Sequence, residues 1–301
     1  MDQASSLRKI VNQSAARIKK ESPTHRETLS RPPRVISVTS GKGGVGKTNI
    51  VGNLAMALTG LGHRVLVLDA DLGLANIDII FGVHPTHNIG HVISGEKTLS
   101  EVILKGPHGI QIIPAGSGFV NLTRLTEGQK LSLLSEFEAL DDVLDFLLID
   151  TSAGISENVL YFNLAADDCI IVATSEPTSI TDAYAMMKVM SLEHGMKHFK
   201  LLVNMVPDEK EAKSVYMNLS QASDRFLNGV VIEYVGYIPT DECVKKAVRK
   251  RKPVLELYPG STSSKRIIKM AKSMLKWSRR TDTDGNLKFF LKRYIDYRAV
   301  G

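Results

Sequence analysis

From residue 34 to about residue 260, short apolar runs alternate with segments whose apolar positions recur every three or four residues. The runs at Val35–Thr39, Val65–Asp69, Ile110–Pro114, Phe146–Asp150, Cys169–Thr174, Leu201–Met205 and Tyr234–Ile238 are rich in Val, Ile and Leu and show little alternation, the pattern of strands buried on both faces. The segments between them, roughly 47–60, 94–104, 126–140, 156–165, 178–194, 208–227 and 241–250, read as helices. Strands separated by helices predict an α/β fold, a doubly wound, mostly parallel sheet with helices on both faces. Ligands of such sheets sit beyond the carboxyl ends of the strands, so chemistry is expected just past each run.

The two ends depart from this pattern. Residues 1–20 carry Ala4, Leu7, Ile10, Val11, Ala15 and Ile18 at helical spacing, and residues 21–33 hold Pro23, Pro32 and Pro33 among polar residues, which makes a linker. A basic amphipathic helix at 264–280 closes the central unit, 34–280. Thr281–Gly285 breaks it. Beyond, in 286–301, Leu287, Phe290, Leu291, Tyr294 and Ile295 form one stripe, with Lys288, Lys292 and Arg293 off it. An apolar, aromatic stripe flanked by cations is the form of a helix lying in an anionic membrane surface.

The chain has 301 residues and a formal charge of +6. Charge is uneven: residues 1–34 hold 8 Lys/Arg against 3 Asp/Glu, residues 264–301 hold 11 against 3, and the middle is left with 19 against 26. Basic ends on an acidic middle suit an anionic partner. No apolar run is long enough for a transmembrane helix, and the polar N-terminus lacks the apolar centre of a secretory signal. Cys169 and Cys243 are the only cysteines and stand too far apart for a C-x-x-C site, so the expected place is the cytoplasm.

The chemistry concentrates after the first run. Gly41-Lys42-Gly43-Gly44-Val45-Gly46-Lys47-Thr48 fits G-x-x-x-x-G-K-[ST] between a strand and a helix, the setting in which backbone N–H groups cradle phosphates. Gly41, Gly43, Gly44, Val45, Gly46, Thr48 and Asn49 would line a triphosphate, with Lys47 on its β- and γ-phosphates and the Thr48 hydroxyl on Mg²⁺. The second run ends in Asp69 and Asp71, suited to Mg²⁺ and a water nucleophile, and the fourth ends in Asp150, the form of a Walker B carboxylate. Asn204, Pro239 and Asp241 end later runs and could meet the base of ATP or cap the helices that follow. His84, His87 and His91 read as an exposed loop rather than a metal site.

These residues resemble the deviant Walker A ATPases of the MinD/ParA family, whose box carries an extra lysine at the place of Lys42. The similarity continues through Asp69–Gly82, Asp150–Gly154, Glu176–Ala183 and Ile238-Pro239-x-Asp241, so it spans about residues 34–280. Within the family, Asp2, Gln3, Ala4, Leu7 and Arg8 resemble the activator motif of the FlhG group, regulators of flagellar number and placement. The resemblance implies an ATP-dependent homodimer in which Lys42 of one subunit reaches the phosphates of the other. Asp71 would orient the water, while Asp71, Asp150 and Thr48 would serve Mg²⁺. It further implies stimulation of an FlhF-type signal-recognition GTPase by residues 1–20, flagellar C-ring proteins FliM/FliN(Y) as partners, and reversible attachment to the inner face of the cell membrane. Ser152 stands where division-site relatives usually carry Pro. A MinD-type division ATPase and a ParA-like DNA-partitioning ATPase are the rival readings; the apolar C-terminal stripe favours lipid over nucleic acid.

Overall fold

The structure, a computed structural model, describes residues 33–71, 76–116, 126–140 and 143–278. The activator segment at 1–20, nearly all of the linker at 21–33, the break at 281–285 and the membrane helix expected at 286–301 lie outside the described residues. In chain order the elements are β1 (Arg34–Ser40), α1 (Lys47–Gly60), β2 (Val65–Ala70), α2 (Ile77–Phe81), α3 (Ile89–Ile93), α4 (Leu99–Val102), β3 (Leu104–Lys105), β4 (Gln111–Ile113) and α5 (Glu127–Glu138). They continue with β5 (Phe146–Ala153), α6 (Glu157–Ala165), β6 (Asp168–Ala173), α7 (Pro177–Leu192), β7 (His198–Val206), α8 (Glu209–Phe226), β8 (Val231–Pro239), α9 (Glu242–Arg249), α10 (Val254–Leu257) and α11 (Thr262–Met274).

The eight strands form one sheet in the order β3-β4-β2-β5-β1-β6-β7-β8, parallel throughout except for the β3–β4 pair. All seven apolar runs are strands, and all of β1 and β2 is buried. Side chains on one face pack with α1 and α11. Those on the other pack with α5 and α6 along one half and with α7 and α8 along the other. Strand order runs outward in both directions from β1, so the loop after β1 opens into a crevice at the centre of the carboxyl edge.

Two expectations are corrected. In place of one helix over 94–104 there is a turn, the short helix α4 and the start of β3: Thr98 accepts the N–H of Glu101 at 3.3 Å while the Glu101 carboxylate accepts that of Thr98 at 2.8 Å, a cap that starts a fresh helix. β3 then pairs antiparallel with β4. The helices α2 and α10, of five and four residues, are too short to leave a period in the sequence. Arg34, counted above among the basic N-terminal residues, belongs to the core at 5% exposure.

Arg34 forms a buried clamp. Its Nε meets Asp168 Oδ2 at 2.6 Å, and its two terminal nitrogens donate to the carbonyls of Trp277 and Ser278, each at 2.8 Å. Lys200 lies 4.2 Å from the centre of the Trp277 ring and 3.8 Å from Asp168 Oδ1. The start of β1 and the end of the α11 segment are thereby fastened together. Removing one partner of a buried pair leaves the other charge uncompensated. Arg34→Ala is expected to lower stability by about 3 kcal/mol, read as a shifted midpoint in urea unfolding.

Candidate functional site

The loop after β1 is shaped by what its glycines allow. At Gly46, the residue before α1, φ is 89°, and a Cβ there would stand 2.6 Å from Asn204 Nδ2. At Gly41 a Cβ would come within 2.3 Å of the Asp182 backbone in α7. Both positions require glycine. No side chain caps α1, so the first N–H groups of a 14-residue helix point outward with the positive end of its dipole. Asn204, at the end of β7, donates from Nδ2 to the carbonyl of Val45 at 2.7 Å and holds the loop from outside.

Charged groups lie beneath and beside this loop. Lys47 is 8% exposed, and its Nζ donates to Ser40 Oγ at 2.9 Å. Burial lowers its pKa, and the carboxylates of Asp150 and Asp71 partly offset that. Asp150 is 1% exposed, and burial pushes its pKa up to about 8; the Thr48 hydroxyl and Lys47 pull it down, and Asp69 and Asp71 push it further up. Its Oδ1 is buried with no hydrogen-bond partner. An orphaned carboxylate oxygen near a threonine hydroxyl supplies the hard oxygen donors that a small divalent cation takes. The residues present therefore fit both Mg²⁺ and a phosphate chain.

The two carboxylates at the end of β2 have separate places. Asp69 is buried and accepts the N–H groups of Asp71 (3.1 Å), Asn76 (3.2 Å) and Ile77 (3.3 Å). Burial raises its pKa to about 6 against the pull of those three bonds. It shapes the segment that carries Asp71, whereas Asp71 lines the cleft.

The cleft has a volume of about 1040 Å³ and gathers Gly43, Gly44, Gly46, Lys47, Thr48, Asn49, Asp71, Asn204, Pro239 and Asp241 on one wall system. Gly41, Val45 and Asp150 are not among the residues that line it. Lys42 points elsewhere: its Nζ meets Glu176 Oε2 at 2.6 Å and Thr178 Oγ1 at 2.9 Å, at the start of α7. Asp241 spends its side chain on capping, with Oδ1 accepting from Cys243 N–H (2.8 Å) and Oδ2 from Ser263 N–H (3.1 Å). Those bonds hold its pKa below the usual carboxylate range despite partial burial. His91 likewise caps, its Nδ1 accepting the Asn88 N–H at 3.2 Å.

Several site residues escaped the sequence reading. Ser40 and Glu176 are polar partners of the two loop lysines. Ser152 donates from Oγ to Asp71 Oδ1 at 2.8 Å. Lys245, Arg249, Arg251 and Lys252 add cations to the cleft wall. The run 245–252 was visible in the sequence but was averaged away in the net negative charge of the middle.

A glycine-rich loop at the crevice of a parallel sheet, with buried lysine, threonine and aspartate behind it, defines a P-loop ATPase. Residues 33–206 match the AAA domain family. The chain is 44% identical over 270 residues to the antiactivator FleN of Pseudomonas aeruginosa, covering 90% of this chain and 96% of that protein. It is 36% identical over 267 residues to the flagellum site-determining protein YlxH of Helicobacter pylori, covering 88% and 90%. Among solved structures, a chain of the MinC:MinD cell division complex of Aquifex aeolicus superposes with a TM-score of 0.66 at 25% identity, over 83% of this chain and 99% of that one. The chain belongs to this family as an ATP-binding ATPase of the MinD/ParA type, in the FlhG group with its two flagellar relatives.

The raised pKa of Asp150 fixes a sign. Unfolded, the carboxyl titrates near 3.9; folded, near 8. Between those values the folded chain holds a proton that the unfolded chain has lost, so this group's contribution to stability falls as pH rises from about 4 to 8. Asp150→Asn escapes that loss. Without nucleotide it is expected to melt about 5 °C or more above the parent at pH 8.5 and level with it near pH 4, as read by differential scanning calorimetry.

Proposed function

We propose that this chain is an ATP-dependent dimerising switch at the membrane that regulates flagellar number and placement. The observation that carries the dimer is the position of Lys42. It belongs to the phosphate loop, yet its ammonium is held outside the cleft on Glu176 and Thr178, 37% exposed. A loop cation turned away from its own cleft is available to the phosphates of a second copy. A cation that arrives only in the dimer stabilises charge on the transferring phosphoryl group, so hydrolysis waits for pairing.

Within each subunit the loop N–H groups and Lys47 bind the phosphates, and Asp71 orients the attacking water. Asn204, Pro239 and Asp241 line the same cleft and would meet the base, Asp241 with its backbone because its carboxylate is engaged. Thr48, Asp150 and Asp71 would hold Mg²⁺, which when bound neutralises charge between the β- and γ-phosphates.

The flagellar role rests on the relatives, one an antiactivator and the other a flagellum site-determining protein. By the same reading, residues 1–20 stimulate an FlhF-type GTPase, FliM/FliN(Y) are partners, and residues 286–301 seek anionic lipid at the cytoplasmic face. Two such helices in a dimer bind far better than one. Among the described residues no helix is long and apolar enough to cross a membrane.

One observation favours a second reading. Lys246, Arg249, Lys250 and Arg251 are exposed side by side, a patch that suits the backbone of DNA, as in a ParA-like partition ATPase.

Two experiments test the proposal. Sedimentation with anionic liposomes or duplex DNA, with ADP and with a non-hydrolysable ATP analogue, should show analogue-dependent pelleting with lipid alone. Deletion of 286–301 should abolish it while leaving nucleotide binding intact. Pelleting with DNA alone would replace the membrane reading with the second one. In the other experiment, Asp71→Ala with ATP should elute as a lasting dimer on gel filtration and lose at least about 100-fold in kcat; fast turnover would remove Asp71 from its role.

A further inference from the structure

Strand register makes Asp71 and Ser152 neighbours. β2 and β5 are paired with Asp69 opposite Asp150 and Ala70 opposite Thr151, so the next residues of the two chains, Asp71 and Ser152, stand side by side at the carboxyl edge. Side chains two apart along a strand share a face. The sheet edge therefore carries two rows, Asp69 with Asp150 below and Asp71 with Ser152 above. The lower row is buried and the upper row lines the cleft.

Ser152 is held firmly. β5 carries an extra residue relative to β1 at this point, Val38 being opposite Asp150 and Ser40 opposite Ala153, an irregularity of the kind that re-aims side chains beside functional sites. Thr151 Oγ1 donates to the Val38 carbonyl at 3.1 Å, and Gly154 N–H donates to the Ser40 carbonyl at 2.9 Å. The segment bearing Ser152 is thus bonded to β1 on either side of it. Asp71 is tied to both rows: its N–H donates to Asp69 Oδ1, and its Oδ1 accepts from Ser152 Oγ at 2.8 Å.

We propose that Ser152 is a positioning residue for ATP hydrolysis, its hydroxyl fixing the orientation of the Asp71 carboxylate before nucleotide arrives. The inference rests on the water-orienting role given to Asp71 above. The carboxylate turns about two side-chain bonds, and the backbone bond to Asp69 restrains neither. A partner on the carboxylate itself sets its direction, and a misplacement of about 1 Å costs up to about 100-fold in rate. The serine hydroxyl is such a partner, carried on a strand bonded to β1, and it leaves phosphate binding to the loop.

Kinetics and a crystal structure test this together. Ser152→Ala is expected to lose about ten-fold in kcat with KM for ATP changed less than about two-fold, and Ser152→Thr, which keeps the hydroxyl, to recover most of it. In a nucleotide-free crystal structure of Ser152→Ala, the Asp71 side chain should leave the orientation it has here. An unchanged kcat, an unchanged Asp71 orientation, or a loss that threonine fails to recover in a protein of normal melting temperature would each overturn the inference. Asp71→Ala run alongside separates the two readings. If it abolishes turnover while Ser152→Ala does not, only the role of Ser152 falls; if it turns over normally, the Asp71 reading falls and this inference with it.

Discussion

The site depends on a carboxylate placed where it cannot easily be charged. Asp150 lies in the fully buried stretch of β5, beside β1, 1% exposed. In that setting the neutral form is favoured. A lysine, itself buried, and a threonine hydroxyl offset the cost only in part. Among the described residues Asp150 Oδ1 has no hydrogen-bond partner, and no side chain caps the helix N-terminus beside it. A cation and a phosphate chain would satisfy both.

Around that centre the other polar groups divide the work by depth. Buried groups shape the backbone, Asp69 gathering three N–H groups of the segment after β2 and Asn204 holding Val45, while the half-buried Asp241 caps α9 and reaches the first turn of α11. Groups at the cleft surface are left for chemistry. Lys42 belongs to neither set. It is fastened to α7, and moving it costs an exposed ion pair, which is worth little in water. A weak tether of that kind suits a cation that must change partners.

The exposed lysines and arginines of α9 and the turn after it add a positive rim to the same cleft. Glu242 pairs with Lys245 and Glu256 with Lys252, so part of the rim is already compensated. The charge that remains faces solvent beside the nucleotide site, placed where an anionic surface or polymer would also feel the state of the cleft.

The sequence by itself determined the doubly wound sheet and the phosphate loop, and it pointed to Lys47, Thr48, Asp71 and Asp150, which the fold gathers at the carboxyl edge of the sheet. Those features are local: strands buried on both faces read as apolar runs, and a glycine-rich turn between strand and helix keeps its own spacing. Only the tertiary structure decided which side chains meet. Asp69 and Asp71 are two residues apart and chemically alike, and burial separates them into a scaffold and a cleft group. Ser152 and Asp71 are 81 residues apart, brought together by the register of two parallel strands that no local pattern encodes. Arg34 read as part of a basic tail until Asp168 and the end of the α11 segment enclosed it. The short helices, of four or five residues, and the two-residue antiparallel strand β3 escaped because such lengths carry too little periodicity to be told from a loop.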